Sequence, residues 1–268
     1  MKLRGAKTLV VGMKRSGIAS AELLAREGAE VRATDLKPLE QLPEAQEMLA
    51  RLQIPFAAQS PEVFEGADLI VLSPDVPADL APVQAAHARG AKVIGEIELA
   101  APFLKGRNIG ITGSNGKTTT TSLIGHILKS AGIPVQVGGN IGTPATAMIE
   151  SSREDGWNVL ELSSFQLETI FEFRAHIALA LNVTQNHLDR HHTFENYAAA
   201  KGRLFETQRA GDEAILNRED PTCATYAKLT PGHVNWFSSI HEADAWLRRD
   251  ELLLDGKALM SAAEVPIR

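Results

Sequence analysis

Cysteine is almost absent. Cys223 stands alone, so no internal disulfide can staple the fold, and a reducing compartment suits the chain. No apolar run approaches the ~20 residues of a membrane-crossing helix. The basic opening MKLRGAK meets too few apolar residues before Gly12 to act as a secretory leader. Cationic excess is missing as well: 27 Lys and Arg face 33 Asp and Glu, a net charge of −6, which argues against non-specific nucleic-acid binding. Aromatics reach only 5%, yet hydrophobic residues make up 44%, enough to fill the core of one large or two ordinary domains in 268 residues. The expectation is a cytoplasmic globular protein with neither nucleic acid nor membrane as partner.

What is present is an alternation of short apolar runs with helical patterns. TLVVG (8–12), EVRATD (30–35), ADLIVLSP (67–74) and AKVIG (91–95) read as strands, and SGIASAELLAREG (16–28) reads as a helix ending at Gly28. A βαβ rhythm of this kind predicts a parallel sheet with helices on its faces. The rhythm closes near PFLKGR (102–107) and restarts. NIGITG (108–113), WNVLELS (157–163), HIALALNV (176–183) and DEAILN (212–217) are the strands of a second series, with helices predicted over 117–132 and 193–209. After about residue 232 the pattern shortens, as in an edge hairpin. The expected fold class is α/β, in two domains, 1–104 and 105–268.

Two glycine-rich stretches fail the motifs they approach. VVGMKRSG (10–17) places Gly12 and Gly17 at the outer positions of a dinucleotide fingerprint, but Lys14 fills the middle position where pyrophosphate must approach the backbone. NAD is therefore disfavoured. In IGITGSNGKTTTT (109–121), Gly113 precedes Gly116-Lys117 by two residues where the P-loop pattern needs four. The physical requirements of a phosphate site survive. A strand ends at Thr112, a tight turn follows, and Lys117 and Thr118 open a helix whose N–H groups converge on one point. Gly113, Ser114, Asn115, Gly116, Lys117, Thr118 and Thr119 are the candidate ATP-binding residues. The competing reading is a Gly-rich helix N-terminus with a solvated lysine.

Other residues carry both a chemical and a plain reading. Glu161 ends an apolar strand, where α/β sheets gather ligand groups, and a carboxylate suits Mg²⁺; it could equally sit in a salt bridge. His187 follows another strand but could be a surface histidine, and His191 and His192 read as structural. Lys201 interrupts an apolar helix face in YAAAKGRLF, as a snorkelling lysine also does. Asp35 can accept a ligand N–H or cap a turn.

GSNGKTTT, GGNIGTPA (138–145), ELSSFQLE (161–168), LNVTQNHLDRH (181–191) and YAAAKGRLF (197–205), in this order, resemble the Mur ligases over essentially all 268 residues. ELSSFQLE points to the branch that joins D-glutamate to UDP-N-acetylmuramoyl-L-alanine. The resemblance implies a Rossmann-like UDP-substrate domain followed by a P-loop ATPase-type domain, acting as a monomer. It also implies ATP-dependent amide formation through an acyl phosphate in peptidoglycan synthesis. It assigns Lys117, Glu161, His187 and Lys201 to catalysis. Two Mg²⁺ sites fall to Thr118, Glu161, His187 and Lys201, the last as a carbamate. The UDP-linked substrate falls to Ser16, Asp35, Lys37, Ser73, Asn140, Gln166 and His187, with charge from Lys14 or Arg15. One departure stands out: relatives commonly have Ser-Pro-Gly where SPDVP (73–77) carries Asp75. The family's adenine-contacting segment and third, Rossmann-like domain find no match before AAEVPIR (262–268), so an incomplete ligase without ligation of its own is expected. A folylpolyglutamate synthase relative, a non-catalytic nucleotide-binding module and a regulatory P-loop ATPase are the alternatives.

Overall fold

Two parallel sheets follow one another along the chain in the computed structural model, which describes residues 2–265. The first is built from β1 (Lys7–Val11), α1 (Arg15–Arg26), β2 (Glu30–Asp35), α2 (Pro43–Leu52), β3 (Phe56–Ala58), β4 (Leu69–Leu72), α3 (Ala81–Ala88) and β5 (Lys92–Gly95). Its order is β3-β2-β1-β4-β5, all parallel. The order reverses between β1 and β4, so a crevice opens beyond their carboxyl ends. Gly17 lets α1 lie against the turn after β1, because a Cβ there would meet the Gly12 carbonyl oxygen at 1.8 Å. The Gly12/Gly17 spacing thus records helix packing and needs no dinucleotide. Periodicity misses α2 and β3. The helix is short, with Ala45, Met48 and Leu49 on its inner face, and the strand is three residues long.

The second sheet starts after α4 (Glu96–Ala100). It comprises β6 (Arg107–Thr112), α5 (Lys117–Ser130), β7 (Val135–Gly139), β8 (Trp157–Glu161), α6 (Ser164–Leu167), β9 (Ile177–Ala180), α7 (Leu188–His191), α8 (Phe194–Glu206), β10 (Glu213–Asn217), α9 (Pro221–Thr225), β11 (His233–Ser238), β12 (Ala245–Arg248), β13 (Glu251–Leu254) and β14 (Lys257–Ser261). The order is β14-β13-β12-β11-β10-β9-β6-β8-β7. The expected edge hairpin needs correction. β11 lies parallel to β10, reached by a crossover through α9 that is long enough for a parallel connection, and only β12–β14 run antiparallel. The helix predicted over 193–209 stops at Glu206, and Thr193 caps it by accepting the Asn196 N–H.

Between the sheets lies α4, every residue of it buried. Ile97 and Ala100 pack into the second core, and Leu99 into the first. Its two carboxyls reach into the second unit. Glu98 accepts the backbone N–H groups of Phe171, Glu172 and Phe173 at 2.9–3.0 Å. Glu96 Oε1 accepts Thr146 N–H and Oγ1–H at 2.6 and 2.8 Å, while its Oε2 has no partner. We propose the domain division at 104/105, just past this shared helix; residues 266–268 lie outside the described residues.

Two stability predictions follow from α4. Glu98→Ala strands three buried N–H groups and is expected to cost about 2–4 kcal/mol in urea unfolding. Burial first of all raises the Glu96 carboxyl from 4.5 to about 7, against the opposing Thr146 hydrogen bonds. The folded state therefore holds this proton more tightly than the unfolded chain. Its stabilisation is complete below pH 4.5 and fades as pH rises through about 7. Glu96→Gln should match the wild type near pH 4 and exceed it by roughly 2–3 kcal/mol at pH 8. An unchanged difference across that range would contradict the assignment.

Candidate functional site

The GSNG turn leaves the central strand β6 and enters α5 with Gly116 in the left-handed region, φ 81°. The turn is bolted to the segment after β9. Ser114 N–H donates to Asn182 O, and Ser114 Oγ donates to Thr184 O at 3.0 Å and accepts Thr184 N–H at 2.9 Å. Asn115 and Asn182 exchange backbone and side-chain hydrogen bonds. Ser114 thus spends its hydroxyl and backbone N–H, and Asn115 its backbone N–H and carbonyl, on holding the loop's shape. Thr118 and Thr119 stay exposed on the first turn of α5. Lys117 folds back, its Nζ donating to Gly113 O at 2.9 Å and Ser114 O at 3.1 Å. Burial lowers its pKa, with Glu161 opposing.

Glu161, at the carboxyl end of β8 and 2% exposed, organises the floor of the site. Its Oε2 accepts Thr118 Oγ1–H at 2.7 Å and its Oε1 accepts Asn140 Nδ2–H at 2.8 Å. Asn140 N–H also donates to Glu161 O. The chain can cross here only because Gly139 has no side chain: its φ is 97°, and a Cβ would lie 2.4 Å from Glu161 O. Mg²⁺ takes one or two protein oxygens and fills its remaining positions with water and phosphate. Glu161 and the Thr118 hydroxyl fit that pattern. Among the described residues no three His, Cys, Asp or Glu side chains converge on a metal-sized centre.

Lys201, on α8, is 1% exposed. Its Nζ donates to Gly113 O at 2.9 Å and lies 4.6 Å from the Tyr197 ring centroid. Two lysines from different helices therefore meet on one carbonyl. Burial first, then the charge of Lys117, pushes the Lys201 pKa down to about 7. The snorkelling alternative does not apply, because the amine points inward. His187 starts α7 with φ 52°; it is exposed, with its ring edge-on to Phe165 at 4.9 Å and 6.3 Å from Tyr197. His191 is buried between Ser164 Oγ (2.9 Å) and Glu168 Oε1 (3.1 Å). Desolvation and then Arg190 lower its pKa to about 4, so it is a neutral packing residue.

In the first unit Ser73 Oγ donates to Gly12 O at 2.6 Å, and Asp35 accepts Met13 N–H at 2.6 Å and Lys37 N–H at 2.8 Å. Asp35 therefore does cap the loops it joins, and Lys37 is exposed beside it. Ser16, Ser73, Asn140 and Gln166 come together on one cavity of about 150 Å³ between the two units. Asp35, Lys37 and His187 do not line it. Gln166, 3% exposed, spends Oε1 on Ser163 and leaves Nε2 without a partner. Sequence reasoning missed Tyr197, whose hydroxyl meets Ser114 Oγ at 3.0 Å. It also missed Arg190, which joins Glu168 (2.9 Å) to the carbonyls of Asp75 (3.4 Å) and Val76 (3.0 Å) across the units. Only Arg190's place in NHLDRH hinted at a role.

The buried amine yields a direct prediction. In protein labelled with ¹³C at lysine Cε, one resonance should titrate near pH 7 and vanish in Lys201→Met. A spectrum with no lysine resonance titrating near pH 7 would contradict the burial argument.

Two family models match the chain. The Mur ligase middle domain matches residues 111–262, and the Mur ligase MurD-like N-terminal domain matches residues 6–95. The UDP-N-acetylmuramoylalanine–D-glutamate ligase of Solibacter usitatus is 71% identical over 100% of this chain and 60% of its own length. The enzyme of the same name from Koribacter versatilis is 50% identical over 94% of this chain and 56% of its own. The chain thus spans about 60% of the length of such curated relatives. Among solved structures, the UDP-N-acetylmuramate:L-alanyl-γ-D-glutamyl-meso-diaminopimelate ligase from Neisseria meningitides shares the fold, with TM-score 0.62 and 19% identity over 95% of this chain and 86% of that one. Because the middle-domain model matches more than half of its residues, the chain belongs to the Mur ligase family.

Proposed function

We propose that this chain carries the UDP-substrate and ATP-phosphate sites of a monomeric ligase that joins D-glutamate to UDP-N-acetylmuramoyl-L-alanine through an acyl phosphate. One observation carries the reading. Asn140 lines the cavity between the units and also donates to Glu161, which in turn holds Thr118 at the phosphate loop. A substrate carboxylate in the cavity therefore faces the end of a triphosphate on the loop. Bringing two anions together is mainly a matter of neutralisation and positioning. Lys117 would exchange its carbonyl partners for phosphate oxygens. Thr118 and Glu161 would hold Mg²⁺, which screens the charge between phosphate and carboxylate. His187, at the adjoining rim, would complete the second metal's surroundings.

Lys201 supplies the remaining anionic ligand in this proposal. With its pKa near 7 a substantial fraction of the amine is neutral. A neutral amine adds CO₂ to give a carbamate and release a proton, turning a buried cation into a carboxylate-like group. Ser16, Ser73 and the α1 N-terminus would meet the diphosphate, Asp35 and Lys37 the uracil, and Gln166 the muramoyl part through its unused Nε2.

Calorimetry tests this reading. The 268-residue protein should bind UDP-N-acetylmuramoyl-L-alanine. Lys117→Ala should leave that binding within about twofold while weakening Mg-ATP about 10–100-fold, the loss of a charge-assisted hydrogen bond. A folded protein that ignores the UDP-linked ligand would overturn the substrate assignment.

A further inference from the structure

Two residues that depart from the expected glycine patterns face each other at the mouth of the small cavity. Lys14 stands at the middle position of the glycine fingerprint, and Asp75 stands where Mur ligases commonly have glycine. Lys14 Nζ pairs with Asp75 Oδ2 at 2.6 Å, with side chains 68% and 66% exposed. Both residues line the cavity, and Asp75 supplies the one carboxylate among its described lining residues. The backbone under Asp75 is fixed. The Ser73–Val76 turn closes through Val76 N–H to Ser73 O at 2.9 Å, and Arg190 holds the carbonyls of Asp75 and Val76. Asp75 lies outside the left-handed region, so the position itself does not require glycine. Only the two side chains are free to rearrange.

The rest of the cavity favours an anion. It abuts the start of α1, a twelve-residue helix with no side-chain cap and no acidic residue in its first turn. Independently, the buried Gln166 lines the cavity and its Nε2 has no acceptor. Asp75, by hydrogen bond and by charge, raises the Lys14 pKa and so keeps it cationic.

We propose that Asp75 is a resident stand-in for an anionic ligand group: its carboxylate parks Lys14 at the cavity mouth, and Lys14 exchanges Asp75 for the diphosphate of the incoming ligand. The proposal rests on the UDP-linked ligand assigned above. An exposed ion pair contributes so little that surrendering it is cheap, whereas a diphosphate offers more charge and more acceptor oxygens. The exchange leaves Asp75 unpaired beside the diphosphate, so Asp75 restrains affinity for it.

The test is a calorimetric cycle of wild type, Asp75→Asn, Lys14→Gln and the double variant with UDP-N-acetylmuramoyl-L-alanine, at low and high salt, with thermal melts to verify folding. Asp75→Asn should tighten binding about three- to tenfold at low salt and less at high salt. Lys14→Gln should cost more affinity in the Asp75→Asn background than in the wild type, because there Lys14 no longer has a partner to give up. Unchanged or weaker binding by folded Asp75→Asn, or an equal cost of Lys14→Gln in both backgrounds, would overturn the exchange while leaving the substrate reading intact. No binding by folded wild type would remove the substrate reading and this inference with it.

Discussion

The carbonyl of Gly113 is the point on which the second unit is organised. It accepts the amines of Lys117, from the helix that follows the loop, and of Lys201, from α8 on the other side. Two cations on one acceptor repel, and burial adds to that cost. The structure meets it by lowering both amines, Lys201 far enough that about half of it is neutral near pH 7. The same constraint fixes the loop. Ser114 is pinned to Thr184 and to Tyr197, which also lies under the Lys201 amine. The phosphate loop is therefore held by the elements on both of its sides before any ligand arrives, and its first-turn N–H groups are left for one.

A second constraint sets the relation of the two sheets. The carboxyls of α4 are used as acceptors for backbone N–H groups of the other unit, and Arg190 answers from the opposite side by holding the 75–76 carbonyls. The cavity lined by Ser16, Ser73, Asn140 and Gln166 draws its walls from both of the units so linked. Preorganisation of this kind spares a ligand in the cavity the energy of bringing the units together.

Much of this was legible in the sequence where a local pattern carried it. The apolar runs became β1, β2, β4, β5, β6, β8, β9 and β10, and the strand-turn-helix around Lys117 has the expected form. Glu161 and Thr118 meet, and Lys201 is buried, although its apolar helix face alone equally suited a snorkelling lysine. The failures are long-range or weakly patterned. β11 reads as polar and is mostly half-buried, yet it is an internal strand that pairs in parallel with both β10 and β12. Arg190 acts across 114 residues, and nothing in local sequence marks such a partner. Asp75 looked like an acid beside an anion site; its cation, Lys14, is 61 residues away. Ser114, Asn115 and Asn140 are polar residues in the right place whose described hydrogen bonds shape the site.

The central claim is that the Gly113 carbonyl parks Lys117 until phosphate replaces it. A crystal structure of the protein with Mg²⁺ and a non-hydrolysable ATP analogue tests this most directly. The account predicts Lys117 Nζ on β- or γ-phosphate oxygens and off Gly113 O, Thr118 Oγ1 and Glu161 on the metal, and Lys201 still buried against Tyr197. Nucleotide bound away from the GSNG turn, or phosphate on the turn with Lys117 still on Gly113 and Ser114, would contradict it.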